Sequence, residues 1–128
     1  MPAEAEWEYA ARGGNKKDGT NAGGSSMDNA GWYTSNAGSK THAVGGKSAN
    51  GLDLYDMSGN VYEWCSDWYE AYSSGSQTNP TGATSGSNRV YRGGSWGSDA
   101  RYCRTSYRSS YSPSIRSGGL GFRLSRTE

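Results

Sequence analysis

Large apolar side chains are what this sequence has least of: among 128 residues, Leu, Ile, Val and Phe together number nine. An ordinary aliphatic core is excluded by that shortage. With 20% charged residues it would suit a disordered chain, but the net charge is only +1 and there are 5 Trp and 10 Tyr, which disordered segments rarely carry. The expectation is a loop-rich domain with an aromatic core. The length suits one domain, residues 1–128, and is too short for two independent cores.

Long hydrophobic runs are also missing. Nothing approaches the roughly 18–20 apolar residues that span a bilayer, and residues 1–30 hold no signal-peptide segment, so the chain reads as soluble with its compartment unassigned. Cysteine is limited to Cys65 and Cys103, without the Cys-x-x-Cys spacing of zinc or redox sites; one disulfide and two buried thiols are both open. Asn79-Pro80-Thr81 has proline where a glycosylation sequon forbids it. Lysine is absent from residues 89–128, which hold eight arginines and two acids against ten acids and five bases in residues 1–88. A chain this close to neutrality has little long-range attraction to phosphate backbones, so nucleic acid is not an expected partner. The two parts are expected to pair their charges.

What is present begins with helix formers over residues 3–12, with Trp7, Ala10 and Ala11 on one face and Gly13-Gly14 as the stop. Residues 13–50 read as loops tacked down by single aromatics. Strands are expected near 61–69, 89–92 and 120–124, with a Ser/Gly/Thr/Asn loop over 73–88. Trp7, Trp32, Trp64, Trp68, Trp96 and Phe122 are the expected core anchors.

Four stretches stand in a recognisable order: Glu4 to Gly13 (EAEWEYAARG), Tyr55 to Trp64 (YDMSGNVYEW), Arg92 to Trp96 (RGGSW) and Leu120 to Leu124 (LGFRL). Together they resemble the formylglycine-generating enzyme, or sulfatase-modifying factor, family, a branch of the C-type lectin-like fold. The resemblance implies an α+β domain with short antiparallel strands and few helices. It also implies that about the first third of a typical family domain is not represented, leaving a sheet edge for an oligomer or partner to cover.

The family's oxidase chemistry requires two neighbouring cysteines that bind copper(I). At the first of these positions this chain has Gly97-Ser98-Asp99, and it lacks the insertion that carries the second, while Cys103 matches a structural cysteine. Catalysis and copper are therefore not expected. Related iron-dependent enzymes use a histidine cluster, whereas His42 stands alone and reads as a solvated or hydrogen-bonding residue. Asp56 and Glu63 flank a tight turn and make a poor acid/base pair. The resemblance instead implies a structural calcium ion there, held by the Asp56 and Glu63 side chains and the Gly59 and Val61 carbonyls, a mixed oxygen set that calcium accepts. The alternative is that both carboxylates cap amides or pair with arginines.

Some domains of this family are the variable proteins of diversity-generating retroelements, whose C-terminal coding repeats are rewritten at adenines. Here Ala100-Arg101, Cys103-Arg104, Arg108, Pro113, Arg116 and Leu120 to Leu124 match the fixed frame of such tails. The interleaved sites, within 97–119, are Gly97, Ser98, Asp99, Tyr102, Tyr107, Ser109, Ser110, Tyr111, Ser112, Ser114, Ile115, Ser117, Gly118 and Gly119. None is Lys, Glu, Gln, Met or Trp, the types excluded when AAC codons change at their adenines. Nine are Ser or Gly and three are Tyr, the vocabulary of adaptable recognition loops. The resemblance thus implies a non-catalytic display protein binding a protein or cell-surface ligand through this tail; the alternative is a sulfatase-modifying oxidase or its inactive structural relative. Arg101, Arg104, Arg108 and Arg116 are expected to pair with acids of the first part and hold the loops.

Overall fold

The run Glu4–Ala11 forms helix α1. Alanine and glutamate favour it, Glu4 and Glu6 sit in its first turn near the positive end of the helix dipole, and Glu6 Oε2 accepts the Ala3 amide at 2.9 Å. Gly13 and Gly14 stop it, both in the left-handed region at φ 75° and 65°. The computed structural model describes residues 1–126. Beyond α1 it contains a short helix α2 (Met27–Ala30), strands β1 (Tyr62–Trp68), β2 (Arg89–Arg92), β3 (Arg108–Tyr111) and β4 (Leu120–Gly121), and 3-10 turns at Gly14–Lys16 and Ala100–Cys103.

The four strands form one sheet in the order β3-β2-β1-β4. β2 is antiparallel to both β1 and β3, but β4 runs parallel to β1, so the sheet is mixed rather than antiparallel throughout. The expected third strand over 120–124 shrinks to Leu120–Gly121, because Arg123 leaves the ladder to bond Glu63 and the Tyr55 carbonyl. β3 was not expected: Arg-Ser-Ser-Tyr has no hydrophobic alternation, and the strand exists because β2 offers it a free edge.

Burial alternates along β1. Glu63, Cys65 and Asp67 are buried while Tyr62, Trp64 and Trp68 are half-buried, as expected of a sheet with α1 packed on one face. Trp7, Ala11, Ala22, Met57, Cys65 and Val90 form the main core cluster; Met27, Ala30 and Cys103 form a second. Of the six anticipated anchors, Trp7 is buried (1% exposed), Trp32, Trp64, Trp68 and Trp96 are half-buried, and Phe122 is 65% exposed. Small Ala, Cys and Met side chains fill the space between helix and sheet, which leaves the other large rings outside. Cys65 and Cys103 are free, buried thiols in separate clusters.

The opposite charges of the two parts do meet. Arg92, wholly buried, bonds Glu4 at 2.7 Å and Glu8 at 2.5 Å, donates to the carbonyls of Thr105 and Tyr107, and lies over the Trp7 ring. Arg108 bonds Glu4 at 2.5 Å and Arg123 bonds Glu63 at 2.6 Å. Of the four arginines expected in this role, Arg108 alone takes an acid of the first part among the described residues; Arg101 lies 4.0 Å from its neighbour Asp99. The arginines that do so, Arg92, Arg108 and Arg123, are buried or half-buried, whereas Arg101 and Arg104 are exposed.

The Asp56–Asn60 turn ties three loops together. Gly59 N–H donates to Gly93, Asn60 N–H to Trp32, and Trp96 N–H to Asn60, all at 2.7–2.8 Å. Gly59 has φ 82°, and a Cβ there would lie 2.3 Å from the Trp32 carbonyl oxygen, so no other residue fits.

Candidate functional site

Three pieces of chain carry the candidate sites: the 97–103 turn, strand β3 with the tyrosine before it, and the 112–119 loop. Asp99 Oδ1 accepts the Arg101 amide and starts the first piece. The second is held by the β2 ladder, in which Tyr91 faces Ser109 and Arg89 faces Tyr111. The third is tied back by Tyr62 N–H to Gly119 at 2.8 Å and by Trp96 Nε1 to Gly118 at 3.2 Å.

The three pieces converge on the outer sheet face, opposite α1. Tyr62 and Trp64 each meet the Tyr91 ring edge to face, at centroid distances of 4.6 and 5.6 Å. Ser109 Oγ bonds Tyr91 Oη at 3.2 Å and Ser98 Oγ bonds Tyr62 Oη at 3.3 Å. Tyr107 packs edge to face with Tyr102 at 5.0 Å, and Arg101 lies 4.8 Å above Tyr102. Burial pushes the Tyr62 hydroxyl up to about 12, so it stays protonated. The sequence reading missed Tyr62, Trp64 and Tyr91 as the floor beneath these sites; the period-2 alternation of β1 is the signal that could have found the first two.

Most candidate positions can be reached by solvent. Gly97, Asp99, Tyr111, Ser114, Ser117 and Gly118 are exposed, and Tyr102, Tyr107, Ser109, Ser112, Ile115 and Gly119 are half-buried. Ser98 differs. It is 8% exposed, its hydroxyl accepts the Ser95 amide at 3.0 Å, and its carbonyl accepts the Thr34 amide, so it fastens the loop. Ser110 pairs with buried Val90, which puts it on the α1 side of the sheet, away from Ser109 and Tyr111.

The Asp56–Glu63 segment has a different character. Among the described residues no three His, Cys, Asp or Glu side chains gather to hold a metal ion, so a cation here would depend on the Gly59 and Val61 carbonyls. Asp56 Oδ2 accepts the Gly45 amide at 2.7 Å, while Oδ1 is buried without a partner, which fits a cation. Glu63 is already engaged: Oε2 accepts Trp7 Nε1 and Arg123 Nε, each at 2.7 Å, and Oε1 accepts Arg123. His42 stacks on Trp32 at 3.8 Å and its Nε2 bonds the Ala37 carbonyl, a structural role.

Burial raises both thiols, Cys103 to about 12 and Cys65 further. They stay protonated at neutral pH and are poor nucleophiles. Among the described residues no helix is long and apolar enough to cross a membrane.

Comparison with known proteins gives a consistent result. The sulfatase-modifying factor enzyme 1-like domain matches residues 1–128. Formylglycine-generating enzymes of Mus musculus and Streptomyces coelicolor are each 37% identical over 96% of this chain, which spans 38% and 45% of their lengths. The solved structure of Treponema denticola variable protein 1 superposes with a TM-score of 0.89 at 45% identity, over 95% of this chain and 45% of that one. The α+β, C-type lectin-like architecture and the four sequence blocks agree with these matches, and the chain belongs to the formylglycine-generating enzyme (sulfatase-modifying factor) family.

Proposed function

We propose that this domain is a non-catalytic binding module of the variable-protein type, whose solvent-reachable candidate residues between Gly97 and Gly119 form a diversified surface for a protein or cell-surface ligand. The observation that carries this reading is the 45% identity and 0.89 TM-score to Treponema denticola variable protein 1. The geometry supports it: surface-reachable Tyr, Ser and Gly positions surround a fixed aromatic floor, with Tyr102, Tyr107 and Tyr111 as rigid anchors. Cys65 and Cys103 lie in separate core clusters, so they do not make the neighbouring pair that copper(I)-dependent oxidation requires.

The decisive experiment is sequencing of the coding locus. A diversity-generating retroelement places a template repeat and a reverse-transcriptase gene nearby, the repeat differing from the coding copy at adenines within the candidate codons. Differences scattered without regard to adenine would refute the reading. The oxidase alternative is checked separately: it requires copper(I) binding and conversion of a peptide cysteine to formylglycine by the purified protein.

A further inference from the structure

We propose a second binding site, for a phosphate group, in the cleft between the C-terminal end of α1 and the turn that follows the Ala100–Cys103 segment. The cleft holds about 770 Å³ and is lined by Tyr9, Arg12, Lys17, Thr20, Arg104 and Ser106 among others, with no Asp or Glu among its lining residues. That volume lies within the range of small-molecule sites.

The positive charge comes from separate parts of the chain. Arg12 ends α1, Lys17 closes the following turn, and Arg104 arrives from the arginine-rich part. Thr105 staples the two walls, its N–H donating to the Thr20 carbonyl at 2.9 Å and its Oγ1 to the same oxygen at 3.3 Å. Arg12 shares its charge with Glu8 at 2.7 Å and remains 43% exposed. Neither Lys17 nor Arg104 pairs with a carboxylate among the described residues. Arg104 is anchored through Nε to the Arg101 carbonyl at 2.8 Å.

Lys17 has φ 53°, in the left-handed region where residues other than glycine are strained. Arg12, Lys17 and Arg104 all line this cleft, and an anion with several oxygens can take donors from more than one of them. Phosphate supplies up to two negative charges and oxygens for both Arg-type and Lys-type donors, and the lining also includes the hydroxyl-bearing residues Tyr9, Thr20 and Ser106. The group could be carried by a small molecule or by a phosphorylated side chain. The site is independent of the diversified surface, so either reading can fail alone.

Calorimetric titration at fixed ionic strength tests the proposal, using inorganic phosphate, glycerol phosphate, a capped phosphoserine tripeptide and glutarate as probes. Saturable binding of the phosphate probes is expected, weakened by roughly tenfold or more in Arg104→Gln and in Lys17→Asn. Asparagine suits the left-handed turn, and melting curves confirm that both variants fold. Arg101→Gln, which removes an exposed charge outside the lining, should leave binding unchanged. Tighter binding of the tripeptide assigns a phosphorylated side chain as the source, and equal or tighter binding of glycerol phosphate assigns a small molecule. Unsaturable heats, glutarate binding as strongly as phosphate, or an equal loss in Arg101→Gln would each overturn the site.

Discussion

Arg92 and Glu4, separated by 88 positions in sequence, meet at 2.7 Å, and the Arg92 side chain has no exposed surface. Arg92 also bonds Glu8 and two carbonyls, and Glu4 also bonds Arg108. This network joins α1, β2 and β3, so its removal should act on the whole domain. Arg92→Met leaves two carboxylates without their shared cation and should cost about 3–5 kcal/mol, read as a fall in denaturation midpoint. Arg92→Lys should rescue little, since one ammonium cannot reproduce the forked geometry.

Stability should fall on acidification partly through Glu8. Burial alone would raise its pKa, but hydrogen bonds and charge from Arg92 and Arg12 outweigh burial and hold it below the ordinary 4.5. A depressed carboxylate stabilises the fold above its unfolded value and loses that contribution as pH falls through the folded one. Glu8→Gln should therefore lower the Tm at pH 7 and narrow its gap to the parent protein below about pH 4. A gap that stays constant with pH would show that Glu8 acts only through packing.

Trp7→Ala should cost about 3–5 kcal/mol, because the ring is 1% exposed and sits at the centre of the main cluster. Trp64→Ala should cost less, about 1–3 kcal/mol, because its ring keeps contact with solvent. Urea titration of both variants ranks them, and the reverse order would relocate the core to the outer sheet face.

Ser98 and Ser114 are both serines within the candidate region, yet they should respond oppositely to enlargement. Ser98→Tyr forces a ring into a buried, hydrogen-bonded corner and should cost about 1–3 kcal/mol. Ser114→Tyr is exposed and should stay within about 0.5 kcal/mol of the parent. Equal tolerance at both positions would return Ser98 to the set of display residues.

Calcium at the Asp56–Glu63 turn is a further proposal, supported by the unpartnered Oδ1 of Asp56. Millimolar calcium should raise the Tm of the intact protein, and Asp56→Ala should abolish the rise. No shift in the intact protein would leave Glu63 to Arg123 and Trp7 alone.

Helix α1, the location of β1 and β2, and the tight turn around Gly59 were legible because each depends on local chemistry: helix formers closed by two glycines, runs of aromatic and β-branched residues, and a glycine where only glycine fits. β3 was not, since Ser109 and Ser110 carry no hydrophobic signal and the strand depends on pairing with β2. The buried status of Ser98 was equally hidden, because it arises from Ser95, Thr34 and Tyr62, all distant from one another or from it in the chain except Ser95. Trp64 is expected as a core anchor; the one-sided packing of the sheet, a tertiary property, leaves it half-buried on the outer face.

Strand β3 is held to β2 by main-chain bonds that pair Ser109 with Tyr91 and Tyr111 with Arg89. Such bonds are indifferent to the side chain a residue carries, and Arg108, bonded to Glu4 at the strand's start, adds an anchor that does not depend on Ser109 or Tyr111. A newcomer at Ser109 or Tyr111 would thus be delivered to the same address on the outer face as its predecessor. Under the proposed function, the part that stays constant is the backbone ladder, and the part that varies is the set of side chains it carries.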